Sequence, residues 1–146
     1  MNKMIVGFLS LVFLSLPSFA SDEEMIEVLS KNVTAISYQA NHLRALYGAS
    51  TQRAIKTRTS ELCVSMEYTR KTVRTLRDFV SEHEELLQNA NIILDMVNGA
   101  ASICEENHKR KDVYRAFSGE QAVEMDLLVN GKGGIKETAK KLFDIL

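Results

Sequence analysis

Three long stretches of the chain repeat apolar residues in alternating steps of three and four, the spacing that places them on one face of an α-helix. The first stretch carries Ile26, Leu29, Val33, Ile36, Ala40, Leu43 and Tyr47. The second carries Ile55, Leu62, Met66, Thr69, Val73, Leu76 and Val80. The third carries Leu86, Ala90, Ile93, Val97, Ala100 and Cys104. The pattern therefore predicts three long amphipathic helices that bury these faces against one another.

Two S-x-x-E sequences mark predicted helix starts, because the serine and the glutamate of such a capping box each satisfy a backbone N–H at the first turn. Ser21 with Glu24 predicts that the first helix begins there, and Ser81 with Glu84 predicts the start of the third. The second helix is expected to begin between residues 50 and 60. A glycine just beyond the periodic run, Gly48, is typical of a helix end.

The apolar pattern weakens after the charged stretch from Glu105 to Lys111. One or two shorter helices are indicated around Ser118-Gly119 by Val113, Phe117, Val123 and Leu127. A glycine-rich loop from Asn130 to Gly134 precedes a last periodic segment with Ile135, Ala139, Leu142 and Leu146. Asn98-Gly99 is the point where the third helix is most open to a break. We therefore expect an all-α fold, a small antiparallel bundle of four to five helices.

The first twenty residues have the pattern of a cleavable signal peptide. Lys3 supplies a positive start, Met4 to Leu16 an apolar stretch, and Pro17 to Ala20 a cleavage site with small residues. The apolar stretch is shorter than the roughly 20 residues that cross a bilayer. We expect cleavage after Ala20, a single helical domain over residues 21–146 without a transmembrane segment, and a periplasmic or secreted location.

The two cysteines test the helical arrangement. If the second and third helices form an antiparallel hairpin, residues equidistant from its turn lie opposite one another. The midpoint of Cys63 and Cys104 falls between His83 and Glu84, inside the turn that the capping sequence predicts. In an oxidising compartment this register predicts an interhelical disulfide, whereas two reduced, buried thiols would be the expectation in a cytosolic protein.

Sequence motifs for chemistry are absent. His42, His83 and His108 are far apart, and neither H-E-x-x-H nor C-x-x-C-H occurs. The loop from Asn130 to Gly134 lacks the spacing of a nucleotide-binding loop. We therefore expect no catalytic residue, no metal site and no cofactor.

The charge pattern offers one candidate contact surface. The whole chain is nearly balanced, with 18 Lys and Arg against 19 Asp and Glu, so it has no overall attraction to nucleic acid. Arg70, Arg74 and Arg77 share one helical stripe and are candidate partner-binding residues. The alternative is that these cations complement the helix dipole and pair with the nearby Glu82, Glu84 and Glu85. The second basic cluster, His108 to Lys111, is interpreted as a solvated loop.

These observations favour a protein that works through its surface. The first hypothesis is an exported protein that binds another protein, for example an accessory, inhibitor or immunity-type subunit in the bacterial envelope. The alternative is an extracytoplasmic small-molecule-binding or sensory bundle, with an apolar ligand near Tyr38, Tyr47, Met66 or Tyr68. Self-association into a homo-oligomer is compatible with either hypothesis.

Overall fold

The computed structural model describes residues 22–48 and 50–145, and in them it contains five helices and one β-hairpin. The helices are α1 Asp22–Ala45, α2 Gln52–Phe79, α3 Glu84–Glu106, α4 Gly119–Asn130 and α5 Ile135–Ile145. The strands are β1 His108–Arg110 and β2 Val113–Tyr114. The all-α fold class and the helical bundle are confirmed. The signal-peptide residues and Ser21 of the first capping box lie outside the described residues.

The core forms where the predicted apolar stripes meet. Helix α2 packs between α1 and α3, while α4 packs on α1 and α5 packs on α3. Every position of the second and third stripes is buried. In α1 the stripe is buried from Leu29 to Leu43, and Ile26 and Tyr47 at its two ends are half-buried. Hydrophobic periodicity thus predicts the inner faces of the three long helices correctly.

The turn between α2 and α3 lies where it was expected, but the capping box at Ser81 is wrong. Ser81 and Glu82 belong to the turn itself, and α3 begins at Glu84 with His83 as its N-cap. The side chain of His83 makes no capping hydrogen bond. The turn is closed instead by the backbone, because the His83 N–H donates to the Val80 carbonyl oxygen at 2.8 Å.

The structure also shows where α2 begins and that α3 is continuous. Helix α2 begins with Thr51 as its N-cap, whose hydroxyl accepts from the Ala54 N–H at 3.2 Å. Helix α3 runs unbroken through Asn98-Gly99. A Cβ atom at Gly99 would meet no atom within 4 Å, so the glycine lies in open space and needs no special backbone geometry.

The predicted disulfide is confirmed between Cys63 of α2 and Cys104 of α3. The two Cα atoms are 5.6 Å apart, within the ordinary range for a disulfide. Both residues are buried among the side chains of the α2–α3 interface. The bond therefore joins the two helices at the end of their hairpin that is remote from the turn.

The segment after α3 differs most from expectation. The basic cluster interpreted as a loop pairs with Val113 and Tyr114 as an antiparallel hairpin. Helix α4 begins at a capping box that the sequence analysis missed, formed by Ser118 and Gln121. Val123 and Leu127, expected in the core, are exposed, and α4 instead buries Ala122, Met125, Asp126 and Val129.

Polar contacts satisfy the one charged residue on the buried face of α4. Asp126 accepts from the Arg44 guanidinium of α1 at 2.9 Å. The amide of Asn130 donates to Asp126 Oδ1 at 2.7 Å and to the Ser37 carbonyl oxygen at 3.0 Å. Apolar residues lie on both sides of α4, so the spacing of Val123 and Leu127 did not identify the side that is buried. Helix α5 follows its pattern and buries Ile135, Ala139 and Leu142.

None of the helices in the described ranges is both long enough and apolar enough to cross a membrane.

Candidate functional site

The β-hairpin presents its basic side chains to solvent. His108 pairs with Tyr114 and Arg110 with Val113, and the register is irregular between them. The turn places Asp112 at a φ of 59°, a left-handed conformation that aspartate tolerates better than most residues. All residues from His108 to Asp112 are exposed. The hairpin is therefore a small protrusion with four consecutive basic residues.

Several contacts hold this protrusion against the bundle. The Ser60 hydroxyl of α2 accepts from the Tyr114 N–H at 3.0 Å. At the base of the hairpin, the Arg115 N–H donates to the Asn107 carbonyl oxygen at 2.7 Å. The rings of His108 and Tyr114 meet edge to face, with centroids 5.2 Å apart. The disulfide at Cys104 lies just before the first strand, so both ends of the hairpin are anchored.

A groove of about 620 Å³ lies between α1, α2 and the hairpin. Its lining holds the cations Arg53 and Lys56, the carboxylates of Glu61 and Asp112, and neutral residues that include Gln39, Ser60, Val64 and Val113. The Oε1 atom of Gln39 is buried without a hydrogen-bond partner. This groove thus presents charges of both signs beside neutral hydrogen-bonding groups.

A second groove, of about 440 Å³, lies over the disulfide. Cys63 and Cys104 contribute to its lining, together with Arg70, His108 and Tyr114. The Arg70 side chain is only 18% exposed, and its Nη2 atom contacts both carboxylate oxygens of the neighbouring Glu67, at 2.6 and 2.9 Å. Arg70 therefore lines the groove, and Glu67 already neutralises its charge.

A smaller groove of about 280 Å³ connects the other two. It shares Val64 and Asp112 with the first groove, and Glu67 and Tyr114 with the second. Its lining includes Tyr68 of α2. We call the continuous surface formed by the hairpin and these three grooves the hairpin face.

Two exposed tyrosines flank the hairpin face. Tyr38 of α1 is 68% exposed and stacks on His42, with ring centroids 5.5 Å apart. Tyr68 of α2 is 62% exposed, and the Lys71 ammonium group lies 5.9 Å from its ring centroid. Tyrosine carries a large, stiff ring with a polar end, which suits it to protein interfaces. These side chains give the surface apolar area beside its charges.

The three arginines of the predicted basic stripe lie in different surroundings. Arg70 belongs to the hairpin face, Arg74 is exposed, and Arg77 lies 3.6 Å from its neighbour Asp78. The expected pairing with Glu82, Glu84 and Glu85 is wrong, because the acidic groups that contact Arg70 and Arg77 in the described chain are Glu67, Glu105 and Asp78. Glu67 lies three positions before Arg70, and Asp78 directly follows Arg77. Both carboxylates are therefore nearer to the arginines along the helix than the glutamates beyond the turn.

Sequence reasoning also missed the cations of the first groove. Arg53 and Lys56 were not singled out, since their proximity to the hairpin depends on a contact between segments 54 residues apart. The Val113-Tyr114 pair following a basic run and Asp112 is the signal that could have indicated a strand.

Tyr114 is held in its neutral form. Burial raises the pKa of its phenol, and the carboxylates of Glu67, Asp112 and Glu105 raise this pKa further, while Arg70 opposes them. Burial likewise raises the pKa of Tyr47, whose hydroxyl donates to the Phe117 carbonyl oxygen. Both phenols therefore keep their protons well into the alkaline range.

The histidines lie apart in the described chain, and no three His, Cys, Asp or Glu side chains there are grouped to hold a metal ion. His42 stacks on Tyr38, His83 precedes α3, and His108 contacts Tyr114. The chain matches no protein-family model, no curated protein and no solved structure.

Proposed function

We propose that this chain is an exported protein that acts by binding another protein through the hairpin face, as an accessory, inhibitor or immunity-type subunit in the bacterial envelope. The observation that carries the proposal is the pair of exposed tyrosines beside open grooves whose linings hold charges of both signs. Tyrosine and arginine are enriched at protein interfaces, where they supply most of the contact energy.

The anchoring of the hairpin supports the same function. A binding surface that is already in place loses little conformational entropy when a partner docks. Ser60 fixes β2 to α2, and the disulfide fixes the end of α3 from which the hairpin emerges. These contacts hold the exposed cations and Tyr68 in a defined arrangement.

Export is supported by two independent features. The first twenty residues have the charge, apolar stretch and cleavage pattern of a signal peptide. The disulfide between Cys63 and Cys104 is of a kind that persists mainly in oxidising compartments. We therefore propose a periplasmic or secreted location for the mature protein.

The positions of the residues considered for a small-molecule site favour protein binding instead. Met66 is fully buried in the core. The hydroxyl of Tyr47 is bonded to the Phe117 carbonyl oxygen, whereas Tyr38 and Tyr68 face solvent. The four side chains thus lie in different environments, and the two exposed rings are available to a macromolecule.

Site-specific crosslinking in intact cells tests the proposal. The full chain, with its own first twenty residues, is expressed in its native host with a photoreactive phenylalanine analogue in place of Tyr68. The same analogue in place of Leu127 is the matched control, because Leu127 is 57% exposed and lies on α4, away from the hairpin face. We expect one defined protein adduct at Tyr68 and none at Leu127. Recovery of only uncrosslinked monomer from both positions would overturn the proposal.

A further inference from the structure

Two acidic side chains of the hairpin face are paired within the protein. Glu61 accepts from the Arg58 guanidinium at 2.9 Å. Glu67 binds Arg70 through both oxygens. Glu105 lies 4.0 Å from the same guanidinium and is largely exposed, so its negative charge remains on the surface.

The cations of the same face are not neutralised in this way. Lys109, Arg110 and Lys111 on the hairpin, and Arg53 and Lys56 at the start of α2, are all exposed. In the part of the chain that the structure describes, no carboxylate lies within 4.0 Å of these five cationic groups. The exposed carboxylates of Asp112 and Glu105 offset only part of the charge of these cations, so the surface is net positive although the whole chain is close to neutral.

The shape of the surface favours an acidic protein segment over an anionic membrane. The groove beside Arg53 and Lys56 is open and has a volume of about 620 Å³, and the hairpin that protrudes beside it would keep a flat lipid surface from filling it. Thr57 and Ser65 add hydroxyl groups to its lining. A peptide supplies both carboxylates for the cations and backbone groups that hydrogen-bond to such hydroxyls.

We propose that the hairpin face recognises an acidic segment of a protein partner. This inference rests on the protein-binding function proposed above and identifies the chemistry of the partner. Carboxylates of the partner contact Lys109, Arg110 and Lys111, and the segment continues into the groove lined by Arg53 and Lys56. Complementary charge of this kind raises the rate of association and excludes partners of the same sign.

A charge-reversal pair of variants tests the inference. The first variant is K109E/R110E/K111E on the hairpin. The matched control is K136E/K140E/K141E on α5, which changes the same number of exposed lysine or arginine charges at a different groove. Circular dichroism and the unfolding midpoint of both variants establish that the fold is retained.

Binding is first measured with defined probes. The purified chain is titrated with a twelve-residue peptide of alternating glutamate and serine, and amide NMR shifts locate the contact. We expect shifts at residues 108–112 and 53–57, and a loss of affinity of about tenfold or more in the hairpin variant but less than about twofold in the control. Shifts confined to other residues, or equal losses in both variants, would overturn the inference.

Two further probes test whether a lipid surface or a nucleic acid, rather than a protein segment, supplies the negative charge. Vesicles containing phosphatidylglycerol and a short DNA duplex are titrated under the same salt conditions, because electrostatic affinities depend strongly on ionic strength. Binding of either probe more tightly than the peptide, through the same residues, would contradict recognition of a protein segment. Weaker binding of both supports it.

The in-cell experiment distinguishes this inference from the broader proposal. The Tyr68 crosslink is repeated in the hairpin variant and in the α5 control. We expect the adduct to disappear in the hairpin variant and to persist in the control. An adduct that persists in both would leave protein binding intact and contradict the acidic partner, whereas the absence of any adduct in the unmodified chain contradicts protein binding itself.

Discussion

On its inner face α2 presents Leu62, Met66 and Val73 to the core, whereas on its outer face it presents Ser60, Val64 and Tyr68 to the grooves of the hairpin. The inner side chains are fully buried, and their spacing alone reveals their role. The outer side chains acquire their environment from a hairpin that lies 54 residues further along the chain.

This difference separates stability from function along one helix. The inner face makes contacts that any bundle of this kind requires, and the outer face carries exposed rings and unmatched cations that the fold does not need. Substitutions on the inner face should therefore change the free energy of unfolding, whereas substitutions on the outer face should change partner binding.

Replacing both cysteines with alanine should have the largest effect on stability. The disulfide closes a loop with a sequence separation of 41 residues, for which chain entropy predicts a loss of roughly 4 kcal/mol in the free energy of unfolding. Urea denaturation of the oxidised chain and of C63A/C104A measures this difference. A loss below about 1 kcal/mol would contradict a large contribution of the disulfide to the free energy of unfolding.

The variants Met66→Ala and Tyr68→Ala compare the two faces directly. Met66 is fully buried, and its truncation should cost about 3 kcal/mol through lost burial and a residual cavity. Tyr68 is 62% exposed, so its truncation should change the free energy of unfolding by less than about 0.5 kcal/mol. Denaturation curves measure both values. Comparable losses in the two variants would mean that the outer face also holds the fold together.

Ser60→Ala tests the anchoring of the hairpin. It leaves the Tyr114 N–H without its acceptor, which should cost about 1 kcal/mol and speed hydrogen exchange at residues 113 and 114. Ser65→Ala is the matched control, because Ser65 lines the same groove without bonding to the hairpin. Equal exchange rates at the hairpin in both variants would show that Ser60 does not position it.

The smallest expected effect concerns alkaline pH. An unfolded tyrosine loses its proton near pH 10, whereas burial and the carboxylates of Glu67, Asp112 and Glu105 raise the pKa of Tyr114 in the folded state. Its contribution to stability is therefore complete below pH 10 and is lost as the pH rises through the folded pKa. Unfolding midpoints between pH 8 and 11 should fall less steeply for Tyr114→Phe. If the unfolding midpoint falls equally steeply with pH in Tyr114→Phe and in the unmodified chain, the raised pKa of Tyr114 is contradicted.

The sequence predicted what depends on local repetition and little of what depends on distant polar contacts. The three long helices, their turns and the Cys63–Cys104 bond followed from apolar spacing and chain register. The orientation of α4 did not, because apolar residues lie on both of its sides and Asp126, bonded to Arg44, is buried together with one of these sides.

The candidate site was predicted only in part, for the same physical reason. Arg70 was identified, but its charge is matched by Glu67, and Arg74 and Arg77 lie further along α2. Arg53 and Lys56 become neighbours of the hairpin only when β2 docks on Ser60. The basic run from His108 to Lys111 does not show by itself whether it is a free loop or a fixed strand, and the only local signal for a strand is the Val113-Tyr114 pair that follows it.

Hydrogen exchange on the complex with the protein captured at Tyr68 tests whether the hairpin face is the binding surface. The exchange of the whole chain is measured by mass spectrometry with and without that partner. We expect slower exchange at residues 108–114 and along residues 53–68, and no change in α4 or α5. Protection confined to residues 119–145, with the hairpin unaffected, would contradict the assignment of the hairpin face as the binding surface.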